Sequence, residues 1–144
     1  MKSIILILLV PCCLFADPPY YHTDIPVQDA YTMIQNEPNL IIVDIRTFPR
    51  EYCTDKHIAG AKSHPLLSYT TGEITDYQSL PKDQKILVYC QSGGRSDRAA
   101  TFLDNQDFQY IYDMIGGIGA WKAAEYTTVG CVDTDEDGHN DDLD

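Results

Sequence analysis

A β-type apolar run at residues 86–89 stops at a single cysteine, Cys90, and continues directly into Gln91, Ser92, Gly93, Gly94 and Arg95, with a helix-like pattern from Ser96. Strand, tight loop and helix in so few residues leave little freedom: this is one crossover of an α/β sheet, with the loop at the strand's C-terminal end. Glycines in such a loop allow positive φ, so its N–H groups can turn inward above the positive end of the following helix. An anion at Cys90 is stabilised there. With the Arg95 guanidinium in reach, the same field favours thiolate over thiol, and the thiolate is the nucleophile. A strand-end cysteine more often fills a core. A core cysteine, however, has no need of two following glycines and an arginine five residues on.

Four further motifs fall in order around this loop: Val43-Asp44-Ile45-Arg46, then Glu51, then His57-Ile58-Ala59-Gly60-Ala61, and finally Gly116-Gly117-Ile118-Gly119-Ala120-Trp121. Together with the Cys90 loop they resemble the rhodanese-like sulfurtransferases over residues 26–129. One departure is Lys56, which stands where that family commonly has glycine before the histidine. The resemblance implies a single α/β domain, a parallel sheet of four or five strands with helices on both faces. It also implies Cys90 and Arg95 as catalytic residues and Gln91, Ser92, Gly93, Gly94, Arg95 and Ser96 as the loop that binds substrate. Asp44, Arg46 and Glu51 are implied as a buried polar brace beneath the loop, and His57 as a hydrogen-bonded turn residue. The expected partners are a small anionic sulfur donor and a thiol or cyanide acceptor, and the chemistry needs no metal or organic cofactor.

Loop length separates two chemistries among similar folds. Four residues lie between Cys90 and Arg95, the sulfurtransferase length, whereas the related cysteine phosphatases have five and so a wider cradle for a tetrahedral phosphate. A phosphatase or arsenate reductase on this scaffold is therefore the first alternative. A non-catalytic sulfur-carrier or binding module is the second, and it has no use for a nucleophile.

The chain of 144 residues is long enough for one domain with a real core. Residues 1–16 read as a secretory signal peptide: Lys2, a short aliphatic stretch, and Ala16 before a polar turn, too short to span a membrane. This implies an exported protein, periplasmic or extracellular. A lipoprotein modified at Cys12 or Cys13 is the weaker reading, since Pro11 and Cys12 stand where a small residue is wanted. Five cysteines less these two leave Cys53, Cys90 and Cys131. With an odd number, one thiol stays free or pairs between chains; Cys90 is the natural free one, and whether Cys53 and Cys131 bridge is left open.

Residues 17–25 read as an extended lead-in. Pro26 suits a helix start, with Val27, Ala30, Tyr31 and Ile34 at helical spacing until Pro38. Residues 40–43 form a continuous apolar run of the kind buried on both faces of a parallel sheet. Residues 68–85 read as loop with one helical turn, 109–112 as a strand, and 116–125 as a tight turn and helix carrying Trp121 as a core anchor. The domain is thus placed at 26–130, and the reading is of a monomer.

The net charge of −12 comes from 10 basic and 22 acidic residues, leaving no electrostatic footprint for nucleic acid. Much of the excess sits in an acidic tail, residues 131–144. There Asp133, Asp135, Asp137, Asp141 and Asp144, with a turn-permitting Gly138, resemble EF-hand and thrombospondin type 3 calcium loops. Calcium is the expected ligand if the tail turns; a solvated acidic tail is the plainer alternative.

Overall fold

A computed structural model describes residues 21–131. The expectations for residues 1–20 and for Asp133, Asp135, Asp137, Asp141 and Asp144 lie outside that range. The chain runs β1 (Thr23–Ile25), α1 (Val27–Asn36), β2 (Ile41–Asp44), β3 (Lys62–Ser63), β4 (Lys85–Tyr89), α2 (Gly94–Asn105), β5 (Tyr110–Met114) and α3 (Gly117–Ala123). A π-helical turn at Arg50–Thr54 and a 3-10 turn at Tyr77–Ser79 interrupt the loops.

All five strands are parallel, in the order β1-β5-β4-β2-β3. The β2 and β4 runs lie side by side, Ile42 beside Leu87 and Val43 beside Val88, because only a central strand can bury both of its faces. Alternation along β4 then sorts the core into two layers. Ile86 and Val88 pack with Ala99, Ala100 and Leu103 of α2, while Leu87 and Tyr89 pack with Val27 and Ala30 of α1 and Ile118 and Trp121 of α3. Helices therefore cover both faces. Each such fully buried aliphatic side chain contributes about 1.5–3 kcal/mol.

Pro26 starts α1 as its capping residue, its carbonyl taking the N–H groups of Asp29 and Ala30. Tyr31 is not buried in the core; it stacks at 4.3 Å on Tyr126, as an outer cover to Trp121. Most strand and helix ends shift by one or two residues, β5 to Tyr110–Met114 and α3 to Gly117–Ala123 among them, and three differences have a structural cause. Residues 23–25 of the lead-in are a strand of the sheet, held by pairing with β5. Helix α2 begins at Gly94 rather than Ser96, because left-handed Gly93 (φ +109°) already turns the chain into it. Cys131, grouped with the tail, is tied to the domain by a disulfide to Cys53.

Candidate active site

The loop sits where β4 ends and α2 begins. Cys90 is the free cysteine among the described residues and is only 1% exposed, its side chain part of the core layer under α2. Gly93 folds back over it, and the Gly93 N–H donates to Cys90 Sγ at 3.1 Å. The α2 N-terminus lies four residues on, so backbone dipole and N–H act on the sulfur together. Gln91, Ser92 and Gly94 are open to solvent above it, while Ser96 is buried and its hydroxyl donates to the Gly93 carbonyl.

The loop's own carbonyls are held from the far side. The N–H groups of Ile118 and Gly119, in the first turn of α3, donate to the carbonyls of Cys90 and Gln91 at 2.9 and 3.0 Å. That approach is possible only because residue 117 has no side chain: a Cβ there would lie 2.4 Å from the Cys90 carbonyl oxygen, and φ is +58°. The Gly116-Gly117-Ile118-Gly119 motif is thus a backbone clamp on the cysteine loop. Its spacing marked it in the sequence, but not its target.

Asp44, Arg46 and Glu51 do not form one brace. Asp44 and Arg46 are a fully buried pair at the end of β2, with Arg46 Nη2 donating to Asp44 Oδ2 at 2.7 Å and to the Lys56 carbonyl at 2.7 Å. Burial works against the Arg46 charge, but the Asp44 contacts outweigh it and raise its pKa. Glu51 stands apart, lifted by the π-helical turn to the rim of the loop. Its carboxylate takes the Arg95 fork in two bonds, Nη1 to Oε2 at 2.9 Å and Nη2 to Oε1 at 2.7 Å. Arg95 chiefly, with the Thr47 N–H and hydroxyl, holds the Glu51 carboxyl down at about 2 against the opposing effect of burial. Arg95 is raised in turn, first by Glu51 and further by its nearness to Cys90.

Beside the loop opens a cavity of about 540 Å³ lined by Thr47, Arg50, Glu51, Asp55, Gln91 and Lys122. Arg50 and Lys122 set two positive charges there beside the carboxylates of Glu51 and Asp55, a grouping that no run of basic residues announced. His57 is a turn residue, with Nδ1 at 3.0 Å from the Tyr52 carbonyl and its backbone paired to Val129. Lys56, before it, takes φ +65°, the left-handed conformation that glycine serves without strain. A thiol under an N–H donor and a helix N-terminus, with a guanidinium at the loop's end and a polar cleft holding Arg50 and Lys122 beside it, is arranged for nucleophilic attack on a small anion.

The chain matches the family model described as rhodanese-like domain over residues 26–124, which include Asp44, Glu51, Cys90 and Arg95. It is 29% identical over 101 residues to a thiosulfate sulfurtransferase, GlpE, of Coxiella burnetii, covering 69% of this chain and 87% of the relative. Among solved structures it is similar to a rhodanese-related protein of Thermoplasma volcanium, with TM-score 0.62 and 27% identity, covering 76% of this chain and 98% of that one. It is also similar to a Rhodopseudomonas palustris protein of unknown function described as a possible tyrosine phosphatase, with TM-score 0.61 and 26% identity, covering 75% and 84%.

Proposed function

This chain belongs to the rhodanese-like domain family, and from that membership we propose that it is a sulfurtransferase working through a persulfide on Cys90. The observation that carries the reading is the six-residue loop from Cys90 to Arg95, closed over the sulfur by the Gly93 N–H. The Cys90 thiolate attacks the outer sulfur of thiosulfate or a similar donor. The Cys90 Sγ–S bond forms as the donor's S–S bond breaks, and the electron pair leaves with sulfite. Cyanide or a thiolate then attacks the outer persulfide sulfur, and Cys90 departs as thiolate, ready for another turn. Each half-reaction balances without a cofactor and follows ping-pong kinetics. The Gly93 N–H and the α2 N-terminus stabilise thiolate, persulfide and leaving thiolate alike, while Arg50, Lys122 and Arg95 draw in the anion.

Phosphatase chemistry is the second reading, favoured by the likeness to the Rhodopseudomonas palustris protein. Four residues between Cys90 and Arg95 rather than five weigh against it. Parallel assays with thiosulfate plus cyanide and with an aryl phosphate separate the two. Thiocyanate formation, with an intact-mass gain of one sulfur atom on treatment with thiosulfate alone, is expected. Phosphate release without that gain sinks the reading. Export by a leader at residues 1–16, and weak calcium binding by the acidic tail, belong to the same proposal. Among the described residues, no helix is long and apolar enough to cross a membrane.

A further inference from the structure

On the face of the sheet covered by α2, at its β1 edge, four acids and a histidine converge away from the cysteine loop. His22 and Asp24 are two residues apart on an extended segment, so their side chains share a face. Strand register sets Asp24 beside Asp113 of β5. Asp97 and Asp104 are seven apart on α2, again on one face. Asp104 Oδ2 holds the histidine doubly, taking the His22 backbone N–H at 2.9 Å and lying 2.7 Å from Nδ1. With Nδ1–H donated to that carboxylate, loss of the Nε2 proton to an incoming cation turns a lone pair outward, the arrangement in which a carboxylate fixes the tautomer of a metal-binding histidine.

Nε2 lies 3.5 Å from Asp24 Oδ1 and 3.5 Å from Asp97 Oδ1, and one ligand atom from each residue falls within 4.8 Å of the others. These are ion-pair distances for a protonated ring and too long for good hydrogen bonds. They also match the spacing of two ligand atoms that share one ion, about 3.4 Å for tetrahedral zinc bound at about 2.1 Å. The second, independent observation is Asp113, 4% exposed, whose Oδ1 has no hydrogen-bond partner among the described residues. An orphaned buried oxygen beside two more carboxylates is a standing cost, which a cation among them would offset.

We propose that His22 Nε2, Asp24 and Asp97 bind one divalent ion of the zinc class, with Asp104 orienting the histidine and Asp113 facing the ion from behind. One imidazole with carboxylates suits zinc or manganese rather than calcium, which takes oxygen alone. The half-exposed Asp24 and Asp97 leave the ion open to solvent, so water completes its coordination. The ion would tie β1 and β5 to the first turn of α2.

The test is zinc titration calorimetry on the full mature chain carrying Cys90→Ser, which removes a thiol that would itself bind zinc. One zinc step is expected, lost in His22→Gln, weakened at least tenfold in Asp97→Asn and about 10–100-fold in Asp104→Asn. Asp55→Asn, another exposed acid, should leave it unchanged. Any zinc held by tail acids is common to all variants and cancels. Thermal melting adds a second readout: zinc should raise the melting temperature of the parent but not of Asp97→Asn, a surface change that leaves the fold intact. A parent without a zinc step, or a step that survives both His22→Gln and Asp97→Asn, overturns the proposal.

Discussion

Arg95 is already paired before any substrate arrives, and this decides how its removal should read out. Cys90→Ser should abolish thiocyanate formation with the fold retained, since a serine hydroxyl does not ionise near neutral pH; circular dichroism and the thiosulfate assay check both halves. Arg95→Ala should lower kcat/KM for thiosulfate about tenfold to a thousandfold, the range for one charge-assisted contact of about 1.5–4 kcal/mol. Because Glu51 fixes the Arg95 fork, Glu51→Ala should cost a comparable factor and the double variant no more than Arg95→Ala alone. Additive losses would mean that the two act separately. The same pair carries a pH signature. The folded-state Glu51 carboxyl sits at about 2 against an ordinary 4.5. Its stabilisation is therefore fully present above about 4.5 and is lost as pH falls through about 2. Urea melts of the parent and Glu51→Gln should differ above that window and converge at its acid end.

At the scale of elements, the α3 clamp makes activity depend on a residue far from the thiol in sequence. Gly117→Ala would drive a methyl against the Cys90 and Gln91 backbone, and should lower kcat/KM about tenfold to a hundredfold through loop displacement. Gly60 is the control: φ is +82° but a Cβ there meets nothing within 4 Å. Gly60→Ala should therefore cost about 1 kcal/mol of stability and leave turnover alone. Lys56 is the converse, a side chain in a left-handed position. Lys56→Gly should stabilise the domain by about 0.5–1 kcal/mol in urea melts, with the Arg46 bond to its carbonyl preserved.

Across the whole molecule, legibility followed the range of the interaction. The β2 and β4 runs, the loop and the α2 face were readable because their signals are contiguous: apolar periodicity, glycine, and the break at Pro38. Strand β1 was not, since only Ile25 of its three residues is buried and pairing with β5 makes it a strand. The Glu51–Arg95 pair joins residues 44 apart, and the target of the α3 glycines lies in another element; neither leaves a local pattern. Cysteine counting left the bridge open, and the Cys53–Cys131 disulfide closes it across 78 residues. By chain entropy a loop of that size is worth about 4.5 kcal/mol. Cys53→Ser with Cys131→Ser should lose stability toward that value in denaturant melts, while turnover of the folded protein stays nearly unchanged.

The same bridge bears on the persulfide proposed for Cys90. With Cys53 and Cys131 consumed by each other, no second thiol among the described residues can attack a Cys90 persulfide from within the chain. On that proposal, a sulfur held on Cys90 would have no outlet among the described residues other than an incoming acceptor, and its rate of discharge would follow the supply of acceptor molecules.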